Sequence, residues 1–190
     1  MTKKELRKYY LEKRQHIPSS AQKEGIFNRN QRFLFFLNSM PRVKHLFVFY
    51  SYRSEPSTHE LIVDLLSKGY TVSVPRMMKK GTNTTMEVVP IQSLSELTGV
   101  YQSIPQPLDY HPKAKPDTID LVIVPSLAID SKGYRLGYGG GFYDRLLSEI
   151  RKDALTIAWQ YEDFCNGTVI VEDHDLPVQF ACTEQSWHEF

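Results

Sequence analysis

The chain is 190 residues long, 41% hydrophobic and 24% charged, with a formal net charge of +1. Those values describe a globular chain with enough apolar residues for a sizeable core and fit one domain over residues 1–190. No apolar run approaches the roughly 20 residues of a membrane span, and the N-terminal "MTKKELRKYYLEKRQ" holds no apolar stretch of the secretory kind, so the expectation is a cytoplasmic protein without a membrane partner.

Residues 3 to about 15 read as a helix, because Leu6, Tyr9, Tyr10 and Leu11 recur at helical spacing among charges. Pro18 breaks it, Ser19 or Ser20 is the expected next N-cap, and a second helix runs to about Asn38 before Pro41. "VKHLFVFY" (Val43–Tyr50) is a buried-strand candidate and "SYRSEPS" a loop. Ser57 and Glu60 fit a capping box that opens a helix through about Lys68, closed by Gly69. "YTVSVP" is the next strand, and the tight strand–helix–strand spacing marks a parallel sheet. "MEVVPI" is a shorter strand, and Gln92–Thr118 is rich in loops and prolines. "IDLVIVPSLAID" is almost wholly apolar, as a strand covered on both faces requires. A glycine loop follows, then a helix from about Gly141 to Lys152, then the strand "LTIAWQY". The fold class is therefore α/β: a mostly parallel sheet flanked by helices in residues 43–190, with an N-terminal helical segment in 1–40.

Charge is unevenly spread. Nine Lys or Arg against three Glu fill the first 32 residues, whereas the stretch from Asp153 onward has eight acids and no Lys or Arg. These are either solvated faces attracted to each other or a cation cluster for an anionic ligand with carboxylates for a metal. Cys165 and Cys182 lack the paired spacing of a zinc or redox site and are expected to be reduced thiols.

The stretch "DSKGYRLGYGGGFYDRLLSEI" places Gly137, Gly139, Gly140 and Gly141 between Arg135 and Asp144, ahead of an amphipathic helix. Glycines let backbone N–H groups close around an anion, and a helix N-terminus adds partial positive charge. Arg135 suits a bidentate phosphate contact, and Asp144 suits Mg²⁺, which takes one or two carboxylates plus phosphate oxygens. No Lys-Ser or Lys-Thr follows, which excludes a Walker loop, and Phe142 stands where a dinucleotide fingerprint needs its last glycine. A tight structural turn is the plain alternative.

The same residues resemble the signature of the 5-formyltetrahydrofolate cyclo-ligase family, R-L-G-x-G-x-G-[FY]-[FY]-D, which Arg135–Asp144 matches at each specified position. Some members carry Lys where this chain has Gly140. "KKELR", "FYSYRSEPST" and "EDHDLP" resemble further family segments in the same order. The resemblance implies an α/β fold akin to sugar-phosphate isomerases and CoA transferases. It also implies cyclisation of 5-formyltetrahydrofolate to 5,10-methenyltetrahydrofolate with Mg²⁺, cleaving ATP to ADP and phosphate through a phosphorylated formyl group.

Carried over residue by residue, the resemblance implies ATP contacts from Lys3, Lys4, Arg7 and the run Arg135, Leu136, Gly137, Tyr138, Gly139, Gly140, Gly141, Phe142 and Tyr143. It implies folate contacts from Tyr50 and Glu55 with Tyr138, Gly139, Gly140, Gly141 and Phe142, catalytic roles for Arg135 and Tyr143, and Mg²⁺ ligation by Asp144 and Asp175. Asp173 is the rival acid to Asp175. Arg76 suits a phosphate, the folate glutamate tail or a surface salt bridge, while His59 and His174 read as structural or solvent-facing and Trp159 and Trp187 as packing residues. The implied partners are small molecules, with no nucleic acid, and the implied state is a monomer. Two other functions fit the loop: a folate or nucleotide sensor without turnover, and a sugar-phosphate isomerase-like enzyme.

Overall fold

In the computed structural model, which describes all 190 residues, four helices and eleven strands follow one another along the chain. They are α1 (Lys3–Gln15), α2 (Ser19–Asn38), β1 (His45–Val48), α3 (His59–Ser67), β2 (Thr71–Lys80) and β3 (Asn83–Ile91). A small hairpin of β4 (Gly99–Tyr101) and β5 (Ile104–Gln106) precedes β6 (Leu121–Pro125), β7 (Ala128–Ile129) and β8 (Arg135–Leu136). The chain closes with α4 (Phe142–Glu149), β9 (Leu155–Trp159), β10 (Phe180–Cys182) and β11 (Trp187–Glu189).

Seven strands form the main sheet in the order β11-β10-β9-β6-β1-β2-β3. The five inner strands run parallel, and the edge strands β3 and β11 run antiparallel to their neighbours. From β1 the sheet grows one way through β2; from β6, beside β1, it grows the other way through β9. That reversal opens a crevice at the carboxyl ends of β1 and β6, the usual ligand position in such sheets.

Both faces of the sheet are covered, so its central strands are apolar throughout. β6 and β9 are buried at every position, and successive side chains alternate between two cores. Leu46, Val48 and Ile123 pack with Phe33 and Leu37 of α2 and Leu61, Ile62 and Leu65 of α3. Phe47, Val122 and Ala158 face Leu146 of α4 on the other side. Truncating one such Leu to Ala costs about 2–5 kcal/mol. A third cluster joins Leu6 and Tyr10 of α1 to Leu127, Ala128 and Leu136, which docks the N-terminal helix beside the β7–β8 hairpin.

Several local expectations shift. The second helix has Pro18 as its N-cap with no side-chain cap bond, because proline's fixed φ already suits the entry and Ser19 begins the helix. At α3 the N-cap is Thr58 rather than Ser57: Ser57 Oγ still donates to Glu60 at 2.8 Å, while Thr58 is drawn into bonds with Phe49 and Ser51. The strand "YTVSVP" runs on to Lys80 and pairs antiparallel along its whole length with Asn83–Ile91; Gly81, at φ 62°, makes the turn. The "VKHLFVFY" strand is trimmed to His45–Val48 and α4 ends at Glu149, short of Lys152. β10 and β11 have too few residues to show periodicity.

Candidate functional site

The glycine loop is held out by a hairpin with ordinary turn chemistry. Asp130 Oδ1 accepts the N–H groups of Lys132 and Tyr134, both at 2.9 Å, an Asx turn. β7 and β8 then pair antiparallel and aim residues 137–141 past the carboxyl end of β6. Gly139 (φ 103°) and Gly141 (φ 63°, the N-cap of α4) adopt the left-handed backbone that other residues resist. On the other side α1 abuts the loop: Arg7 Nε donates to the Gly137 carbonyl at 2.9 Å, and a Cβ on Gly139 would sit 3.2 Å from the Arg7 guanidinium carbon.

Two clefts meet at this loop and share Pro125, Tyr138, Gly140, Phe142 and Tyr143 as a common wall. The first, about 730 Å³, is lined by charge: Lys3, Arg7, Arg135, Asp144, Arg145 and the acids of 172–175. Asp144 Oδ1 accepts from buried Arg135 at 2.8 Å and from the Leu176 N–H at 3.2 Å, and Arg135 also donates to the Leu176 carbonyl at 2.7 Å. Asp175 lies 2.7 Å from Lys3, which also reaches Glu172 at 2.9 Å. Burial pushes the Asp175 carboxyl up, but the bonds from Lys3 and the Glu172 N–H outweigh it and leave the group below its ordinary value. The same two carboxylates outweigh burial at Lys3 and raise its ammonium.

These carboxylates suit Mg²⁺ by donor chemistry. Both line one cleft, both offer the hard oxygens that ion takes, and Asp144 uses a single oxygen, Oδ1, for its two protein partners. Glu172 and His174 also bring ligand atoms within 4.8 Å of the one on Asp175. Asp173 is exposed and lines the same cleft.

The second cleft, about 1090 Å³, is walled by Phe49, Tyr50, Pro75, Met77, Ile104 and the shared aromatics, among others. Glu55 is the one acid on its lining. Oε2 accepts the Tyr52 N–H at 2.7 Å, and the carboxyl also meets the Tyr138 hydroxyl, which accepts from Arg14 Nη1 at 3.0 Å. Burial holds the Glu55 carboxyl above its ordinary value despite the Tyr52 N–H, the Tyr138 hydroxyl and the Arg14 charge. Burial, with the Glu55 charge next, also raises the Tyr138 and Tyr143 phenols, so both remain protonated donors at neutral pH. The Tyr50 ring lies flat against His59, centroids 4.0 Å apart, leaving it to present its other side to the cleft.

Most of the anticipated residues therefore converge. Lys3, Arg7 and Arg135–Asp144 line the charged cleft together with Asp175, and Tyr50, Glu55, Tyr138, Gly140, Phe142 and Tyr143 line the apolar one. Lys4 is exposed and lines neither; Gly139 and Gly141 line the charged cleft alone. Arg76 is buried on Glu87 at 2.8 Å and on the carbonyls of Leu108 and His111, and lines neither cleft. Trp159 is core, Trp187 stacks on Phe36, and the two cysteines are unpaired. Sequence reasoning missed Arg14, which is fully buried and donates to Tyr138, Gln160 and the Ser126 and Leu127 carbonyls. It also missed Arg145, whose Nη2 donates to the Gly140 carbonyl at 3.0 Å while its guanidinium covers the Phe142 ring. Among many surface-type arginines only their placement one turn from Tyr10 and Gly141 hinted at either.

The sequence profile of the 5-formyltetrahydrofolate cyclo-ligase family matches residues 1–184. A Mycolicibacterium smegmatis protein named 5-formyltetrahydrofolate cyclo-ligase is 28% identical over 184 residues, covering 96% of this chain and 93% of that one. An Escherichia coli protein of the same name is 35% identical over 138 residues, 72% of this chain and 75% of that one. The NMR structure of Aquifex aeolicus 5,10-methenyltetrahydrofolate synthetase superposes with a TM-score of 0.82 at 25% identity, covering 100% of this chain and 93% of that one. A Mycoplasma pneumoniae synthetase of the same name, 19% identical with a TM-score of 0.79 over 97% of this chain and 99% of that one, shares the fold. The chain belongs to the 5-formyltetrahydrofolate cyclo-ligase family.

Proposed function

We propose that this chain closes 5-formyltetrahydrofolate to 5,10-methenyltetrahydrofolate, using ATP and Mg²⁺, where its two clefts meet. The observation that carries this reading is the shared wall: one stretch of backbone and aromatic rings separates a charged cleft suited to a triphosphate from an apolar cleft suited to a pterin. A reaction that joins a phosphoryl group to a folate oxygen needs that adjacency.

The chemistry follows from the leaving group. The oxygen of an N-formyl group departs poorly from its carbon, so it first attacks the γ-phosphorus. An O–P bond forms, the β–γ bridge breaks and ADP leaves. The nitrogen at position 10 then adds to the activated carbon and loses its proton, and the C–O bond breaks to release inorganic phosphate. Such transfers depend on positioning and charge neutralisation more than on a protein nucleophile. Both cysteines fit that: burial pushes the Cys165 and Cys182 thiols up to about 12.

In this reading Arg7 and the loop Arg135–Tyr143 grip the phosphates, with Lys3 beside them and Lys4 at the outer edge of the helix. Arg135, fixed by Asp144 and the Leu176 carbonyl, keeps positive charge at the floor of the cleft. Asp144 and Asp175 are the residues that would hold Mg²⁺, which when bound neutralises charge on the transferring phosphates. Glu55 offers an acceptor to the pterin N–H donors, Tyr50 an aromatic face, and Tyr143 a neutral hydroxyl at the shared wall.

The test is absorbance at the methenyl product band with purified protein, 5-formyltetrahydrofolate and Mg²⁺, with and without ATP. A rise that needs ATP supports the reaction. Binding of both ligands without a rise makes the protein a sensor and overturns it.

A further inference from the structure

Resting on that folate reading, we infer that Arg53 anchors the carboxylates of the substrate's glutamate tail at the mouth of the apolar cleft. A pterin is flat and uncharged, but the far end of the same molecule carries carboxylates, so a cleft that takes the whole substrate needs a cation near its opening. The apolar cleft of about 1090 Å³ and the adjoining pocket of about 390 Å³ contain a single Lys or Arg in their combined lining, and it is Arg53. Its side chain is exposed and takes part in none of the chain's ion pairs. Glu55, the acid nearest in sequence, faces inward to the Tyr52 N–H and Tyr138. Arg76, the other arginine with a claim on this role, is fully engaged by Glu87 and two carbonyls.

The backbone makes the same point. Four residues other than glycine have positive φ, and three of them, Arg53 (55°), Gln102 (49°) and Ser103 (69°), lie on this lining. At Gln102 and Ser103 this is the ordinary geometry of the two-residue β4–β5 hairpin turn, so the strain that bears on the site is that of Arg53, a residue type that rarely holds a positive φ. Tyr52 supports the side chain: the Arg53 guanidinium lies 5.0 Å from its ring centroid. The guanidinium is thereby held over a ring with N–H donors left for a carboxylate fork.

The experiment compares 5-formyltetrahydrofolate with 5-formyltetrahydropteroate, the same molecule without its glutamate, on the wild type, Arg53→Gln and Arg53→Lys. Arg53→Gln is expected to raise KM for the glutamate-bearing substrate about tenfold with kcat unchanged, and to leave KM for the pteroate unchanged. Arg53→Lys should recover most of the loss, and all three proteins should melt alike. An equal rise in KM for both substrates, or no rise for either, overturns the assignment of Arg53 while the folate reading stands. A wild type that turns over neither compound overturns that reading, and Arg53 with it.

Discussion

Gly137 is the sharpest probe of what the loop is for. It is half-buried on the charged cleft, its φ is not positive, and a Cβ built on it meets no protein atom within 4 Å. A methyl group there is therefore compatible with the empty protein. Because alanine restricts the unfolded chain, Gly137→Ala should stabilise by about 0.4–1 kcal/mol, or roughly 1–4 °C in Tm for a chain of this size. If the vacant space belongs to a phosphate, the same methyl overpacks the bound state by about 1–3 kcal/mol, so KM for ATP rises from about fivefold to beyond a hundredfold. KM for the folate should hold, since Gly137 does not line the apolar cleft. Gly140→Ala gives the contrast: its Cβ would fall 2.6 Å from Phe142 Cδ2 and closer to Cε2, displacing a ring in the shared wall and raising both KM values. Steady-state kinetics with each substrate varied, beside melting of the ligand-free proteins, separates the cases. A Gly137→Ala protein with normal ATP kinetics, or one that melts early, would refute the reasoning.

Two further outcomes follow from the charged groups. Glu55 is held above its ordinary pKa chiefly by burial, so its carboxylate is lost at higher pH than usual; folate KM should climb as pH falls through that raised value, and in Glu55→Gln the pH dependence should disappear. The sign for stability is the opposite: a raised carboxyl binds its proton more tightly when folded, so Glu55 favours the fold at low pH and that contribution fades as pH rises through the folded value. Asp144→Ala removes the partner of Arg135, whose side chain is only 3% exposed, and should cost about 3–5 kcal/mol as well as turnover. Asp144→Asn keeps an acceptor, so it should melt nearer the wild type yet remain inactive; an active Asp144→Asn enzyme would remove that carboxylate from the metal site.

How much of this was legible depends on the range over which each residue acts. Apolar runs announce buried strands, so β1, β6 and β9 stood out, as did α1 from the spacing of Leu6 and Tyr10. The β2–β3 hairpin was half hidden because "KKGTNT" carries no apolar alternation; there the ladder is completed by backbone pairing and by the cross-strand pair of Arg76 and Glu87. Thr58 stands at the cap position without a side-chain cap bond, its hydroxyl committed to Phe49 and Ser51, seven to nine residues back and beyond the four-residue capping pattern. The glycine loop was readable because its constraint is local: Gly139 and Gly141 need their φ whatever surrounds them.

The charge asymmetry shows what a sequence leaves open even when it is read correctly. A basic N-terminus and an acidic C-terminal stretch do meet, through Lys3 with Glu172 and Asp175 and through Arg29 with Glu184, but only part of each is a solvated face: Lys4, Lys8, Lys13, Lys23 and Asp173 are exposed. Arg14 and Arg29 are fully buried, one bonded to Tyr138 and Gln160, the other between the rings of Trp159 and Tyr161. Burying a guanidinium is costly unless its donors are matched; most of theirs are, by residues just after β6 and β9, by the glycine loop and by the β10–β11 turn, while Arg14 Nε and Arg29 Nη1 have no protein partner. The N-terminal helices are thus bound to the sheet by cations as well as by Leu6, Tyr10, Phe33 and Leu37. Because Arg14 lies on the same helix as Arg7 and Lys3, the contact that fixes Tyr138 beside Glu55 also fixes the cations of the charged cleft. One rigid helix sets the spacing of both halves of the site.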